Sequence, residues 1–96
     1  MLVYSSLYQQ AIDKYGKEHQ LIVTFGELSE CAAEIAKHMI PDRVHDEQEL
    51  INELADVCIM MEQMHVIYGE ALSKAIRIKS KKLRKHIEED KYEQEQ

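Results

Sequence analysis

The chain has little of what bends or crosslinks a fold: one proline, three glycines, two cysteines and no tryptophan in 96 residues. So few turn-formers exclude an all-β domain, which needs a turn every eight to twelve residues or so. No apolar run reaches the roughly 18 residues of a membrane span, so no membrane partner is expected. The opening MLVYSSLYQQ has neither a basic n-region nor a true h-region, and no secretory signal is expected there. Basic charge is also scarce. Twelve Lys and Arg against 18 Asp and Glu give a net charge of −6, the wrong sign for general nucleic-acid binding. A small anionic ligand remains compatible, because a bound divalent cation inverts the local sign. Cys31 and Cys58 fall on helical faces beside apolar neighbours. They read as reduced core thiols, and the expected location is cytoplasmic.

What the chain does have is helical periodicity. Ninety-six residues make one domain, taken as residues 1–90 with an acidic tail, 91–96, that frays. A first helix is expected over about residues 3–15, on Tyr4, Leu7, Tyr8, Ala11, Ile12 and Tyr15, ended by Gly16. A second covers about 18–39, with Leu21, Phe25, Leu28, Ile35 and Met39 on one side. Pro41 stops it, and Pro-Asp-Arg-Val-His makes a short connector. Asp46 and Glu49 form a capping box for a third helix, whose stripe (Leu50, Leu54, Val57, Met61, Met64, Tyr68) has the spacing of a packed seam. Gly69 ends it, and a fourth helix runs to about residue 88. The expected class is all-α, an antiparallel four-helix bundle. So short a chain leaves a thin core, which makes a homo-oligomer the expected state.

Two acidic motifs carry the chemistry. Glu27-Leu28-Ser29-Glu30 and Glu53-Leu54-Ala55-Asp56 each set two carboxylates three residues apart, on one helical face. In both helices the acids flank the apolar stripe, where a bundle builds metal sites. Packed side by side, four carboxylates repel one another unless a cation joins them. Oxygen-only ligands suit Mg²⁺, with Mn²⁺ as a substitute, and Mg²⁺ commonly completes its shell with phosphate oxygens. Thr24 and Glu27 also fit a capping box, which would make Glu27 a mere cap. Glu62-Gln63-Met64-His65 is a single Glu-x-x-His, whereas a di-iron bundle needs two. On the fourth helix Lys79 falls within the stripe of Leu72, Ile76, Leu83 and Ile87, with Lys82 on its flank. An inward ammonium needs an anion.

Together, GELSECAAEIAKHM, INELADVCIMMEQM and the closing KSKKLRKHI resemble the all-α nucleoside triphosphate pyrophosphohydrolases, the MazG proteins and dimeric dUTPases, over roughly residues 18–85. The resemblance implies a MazG-type fold that assembles as a homodimer or homotetramer. It implies that Glu27, Glu30, Glu53 and Asp56 hold Mg²⁺, and that Lys79 and Lys82 meet the phosphates. Gln63 stands where relatives often carry a nucleotide-binding amide. Glu30 would be the general base in cleavage of a (d)NTP to monophosphate and pyrophosphate. Many relatives open the first motif with two Glu; here Gly26 precedes Glu27, and Glu34, one turn on, is the auxiliary acid. The competing readings are a non-catalytic relative that binds nucleotide or metal, and a helical interaction module without a site.

Overall fold

The computed structural model describes residues 4–41 and 44–95, with side chains to residue 90. Residue 3, residues 42 and 43 of the connector, and Gln96 at the end of the tail lie outside the described residues. Four helices follow in order: α1 (Ser5–Tyr15), α2 (Lys17–His38), α3 (Glu47–Tyr68) and α4 (Glu70–Glu95). No strand occurs among the described residues, and no helix there is long and apolar enough to cross a membrane.

The boundaries have local causes. Gly16 has φ 90° and donates its N–H to the Ile12 carbonyl at 2.8 Å. Gly69 has φ 52° and donates to the His65 carbonyl, also at 2.8 Å. A residue with a Cβ is strained at such φ values, so one-residue links join α1 to α2 and α3 to α4. Asp46 caps α3, its Oδ1 accepting from the Gln48 N–H at 2.9 Å. Thr24 lies inside α2, bonded to the Gln20 carbonyl at 2.7 Å, so it starts no helix and Glu27 is not a cap residue. α4 runs on to Glu95, past the end expected near residue 88. Its Glu, Lys and Gln residues are good helix formers, and no Gly or Pro interrupts them.

α2 and α3 lie antiparallel, as three contacts along their length show. The Lys17 ammonium sits 4.9 Å from the centre of the Tyr68 ring. Gln20 Nε2 donates to Gln63 Oε1 at 2.8 Å, fully inside the structure. Further on, Glu27 and Glu30 meet Glu53. α1 turns back along this hairpin and buries Tyr8, whose hydroxyl the Glu62 carboxylate holds by hydrogen bonding. That bond, with burial and the Glu62 charge, pushes the phenol up to about 12.

The side of α2 that packs differs from the one its apolar spacing predicts. Its buried residues are Gln20, Thr24, Cys31 and Glu34, while Leu21, Phe25, Leu28, Ile35 and Met39 are all exposed, Phe25 by 73%. The hairpin has closed on the flank that carries the acids. On α3 the expected seam is split: Met64 is buried, whereas Leu54, Met61 and Tyr68 face out, and Met60, outside that stripe, is buried instead. Cys31 is the core thiol expected; Cys58 is exposed, and both are free. It lines a groove between α3 and α4 with Met61, His65, Leu72 and Ile76.

α4 touches the rest of the chain only near its start. A 2.7 Å hydrogen bond joins His65 Nε2 to Ser73 Oγ, and every described side chain from Lys74 to Asp90 is exposed. A single chain therefore does not close the four-helix arrangement its periodicity predicts. The radius of gyration is 17.4 Å, against about 12.5 Å for a compact chain of this length.

Candidate functional site

Glu27 and Glu30 project from the middle of α2, Glu53 from the second turn of α3. One carboxylate oxygen from each lies within 4.8 Å of the others. The i,i+3 spacing sets the first two side by side, and the antiparallel register delivers the third. Asp56, the fourth acid of the motifs, is exposed at the margin of this group, yet its charge acts on both Glu27 and Glu53.

The cluster is electrostatically frustrated. Glu27 Oε2 and Glu53 Oε2 are closed off from solvent and have no hydrogen-bond partner. Neighbouring carboxylates offer them none, because ionised oxygens only accept. Loss of solvation, chiefly, pushes the Glu27 carboxyl above its ordinary range, with Glu30, Asp56 and Glu53 adding repulsion. Glu53 is pushed up for the same first reason, then by Glu30, Asp56 and Glu34; Lys37 opposes this. Such an environment favours a proton or a cation on these oxygens.

Glu34 is buried one turn beyond Glu30, but it already has partners. Lys37 Nζ is 3.3 Å from Glu34 Oε2, and His38 Nε2 is 3.6 Å from Oε1. At the second distance there is no hydrogen bond, and His38 Nε2 is buried without a partner. His38 in turn stacks on His45, with ring centroids 4.7 Å apart, which ties the connector to this end of the hairpin.

Gln63 is buried, and both ends of its amide are engaged: Oε1 accepts from Gln20, and Nε2 approaches Met60 Sδ at 3.6 Å. Gln20 Oε1 also accepts from His19 Nδ1 at 2.8 Å. This polar bridge crosses the α2–α3 interface a few turns from the acids and fixes their register. Sequence reasoning missed Gln20, whose only signal was a Gln one turn before Thr24 on the flank the acids share.

Lys79 and Lys82 lie on the free part of α4, exposed, and neither joins the acids within one chain. The Glu62 and His65 of the lone Glu-x-x-His diverge, one to Tyr8 and the other to Ser73. Of the rings on α1 and α2, Tyr8 is core, His19 stacks on Tyr15, and Phe25 is open.

No protein-family model, no curated protein and no solved structure matches this chain.

Proposed function

We propose that the chain is a Mg²⁺-dependent nucleoside triphosphate pyrophosphohydrolase acting in the cytoplasm. The observation that carries this reading is the pair of solvent-shielded carboxylate oxygens, Glu27 Oε2 and Glu53 Oε2, that no donor satisfies. A hard divalent ion fits a donor set made only of carboxylates. Glu27, Glu30 and Glu53 would hold it, with Asp56 from the margin, and Mn²⁺ would substitute. Bound there, Mg²⁺ supplies charge neutralisation for the phosphates and a reference point for their orientation.

The chain's own groups do the rest. Glu27 and Glu53 hold the shielded positions, while Glu30 is exposed and open to an incoming water. Glu30 takes a proton from that water as its oxygen bonds to the α-phosphorus. The bond from the α-phosphorus to the bridging oxygen breaks, and pyrophosphate leaves with that oxygen. The Gln20–Gln63 bridge keeps the two acidic helices in register during this exchange.

Pyrophosphate release across a panel of dNTPs with Mg²⁺ tests the activity and names the substrate. Release that disappears in Glu30→Gln supports the assignment. No release from any dNTP or NTP, with Mg²⁺ still raising Tm, favours the non-catalytic metal- or nucleotide-binding reading. A melt insensitive to Mg²⁺ and to nucleotide leaves only a helical interaction module.

A further inference from the structure

The C-terminal end of α2 gathers a carboxylate and two imidazoles that the acidic cluster does not use. Glu34 and His38 stand four residues apart on one face of the helix, and His45 reaches their end of it from the connector, stacked on His38. Glu34 and His38 keep only 10% and 18% of their side-chain surface exposed.

Each of the three offers a donor atom. Lys37 Nζ holds Glu34 Oε2 at 3.3 Å, which leaves Oε1 toward His38. His45 Nε2 stands 3.2 Å from the Ile40 carbonyl. A carbonyl only accepts, so Nε2 carries the proton and the neutral ring keeps its lone pair on Nδ1. His38 Nε2 is closed off from solvent and has no hydrogen-bond partner. A buried nitrogen left alone in this way is costly.

The spacings suit ligands of one ion. Glu34 Oε1 and His38 Nε2 are 3.6 Å apart, and a tetrahedral ion with bonds of about 2 Å sets two ligand atoms about 3.4 Å apart. The His38 and His45 ring centres are 4.7 Å apart, and two imidazoles on one such ion hold theirs at about 5 Å. The outer contacts also match: an ammonium on the carboxylate and a backbone carbonyl on the second imidazole are usual partners of metal ligands. His38 is the last residue of α2, where the helix dipole favours a cation.

We propose that Glu34 Oε1, His38 Nε2 and His45 Nδ1 take a borderline divalent ion of the Zn²⁺ class, with a fourth position left to water. The His45 ring turns in from the connector to complete the set; among the described residues, only Glu27, Glu30 and Glu53 already bring three donor atoms within 4.8 Å of one another. The ion ties the connector to the end of α2. It differs in kind from an ion on the acidic cluster, because imidazole selects a softer metal than carboxylates alone do. The enzymatic reading is not needed for it.

Zinc uptake by the metal-free full chain, in excess Mg²⁺ to fill the acidic cluster, tests the proposal. One Zn²⁺ per chain is expected at micromolar concentration. His38→Ala and His45→Ala are each expected to weaken uptake at least about tenfold, and Glu27→Gln/Glu53→Gln to leave it unchanged. Long-range ¹H–¹⁵N spectra of the histidine rings need no variant. There Zn²⁺ is expected to shift His38 Nε2 and His45 Nδ1 and to leave His19, His65 and His86 in place. No uptake in Mg²⁺, full uptake in both histidine variants, or shifts confined to the other rings overturn the proposal. Uptake lost in Glu27→Gln/Glu53→Gln but kept in His38→Ala puts the ion on the acidic cluster and overturns it too. Presence or absence of pyrophosphate release changes none of these outcomes.

Discussion

α3 and α4 are both long helices with an apolar stripe, joined by one glycine, yet their fates differ. α3 buries Met60, Gln63 and Met64 between α1 and α2; α4 is exposed from Lys74 onward. Their charges are opposite: α3 carries five acids and no Lys or Arg, while α4 is basic through Ile87. Attraction alone would have folded the basic helix onto the acidic one. That it does not do so beyond the first turns shows that stripe geometry outranks net charge: screened surface charges contribute little, whereas packing needs matched faces. The face of α3 near the acids is occupied by α2, leaving α4 only the Met61–His65 side.

The largest test of this contrast is chemical. Glu30→Gln is expected to lower pyrophosphate release about 10²–10⁴-fold, the usual worth of a general base; Lys74→Gln, on the exposed face of α4, is expected to leave it unchanged. Next comes packing. Met64→Ala should destabilise by about 2–5 kcal/mol in denaturant melts, because so few apolar side chains are buried. Leu83→Ala should cost about 0.5 kcal/mol or less in the same melts, because Leu83 is exposed. A cost equal to that of Met64→Ala would erase the distinction between the two helices.

The polar bridge gives a smaller and sharper effect. Gln63→Leu strands Gln20 and should cost about 1–3 kcal/mol, whereas Gln20→Leu/Gln63→Leu should recover most of it, because no buried partner is left unpaired. The double-mutant cycle checks this.

The smallest effect is pH dependence without metal. Folding raises the Glu27 and Glu53 carboxyls above their ordinary range, so the folded state holds those protons more tightly than the unfolded one. Their contribution to stability is full below the unfolded value and fades as pH rises through the folded values. The metal-free hairpin should therefore melt higher at mildly acidic pH than at neutrality, and Glu53→Gln should flatten that slope. A chain whose Tm rises steadily from pH 5 to 7 without metal contradicts the frustrated cluster.

Part of this was legible in the residues. Gly16, Gly69 and Asp46 marked their boundaries because each has a local conformational job. The acid pairs met because i,i+3 spacing and antiparallel packing leave them little choice. Periodicity shows which residues share a face, but not which neighbour takes it. That is why the Leu21–Met39 stripe looked like this chain's own core and proved to be its outer surface. Gln63 was expected to be a ligand only through the resemblance; its hydrogen-bond partner, Gln20, lies 43 residues away in sequence, beyond any local pattern.

Paramagnetic broadening by Mn²⁺ is the most direct test of the acidic cluster as a metal centre. Substoichiometric Mn²⁺ added to ¹⁵N-labelled protein near neutral pH should selectively erase the amide signals around Glu27–Glu30 and Glu53–Asp56. Excess Mg²⁺ should restore them, and Glu27→Gln/Glu53→Gln should prevent the loss. Uniform weak broadening over every acidic surface residue, unchanged in the double variant, would contradict the account.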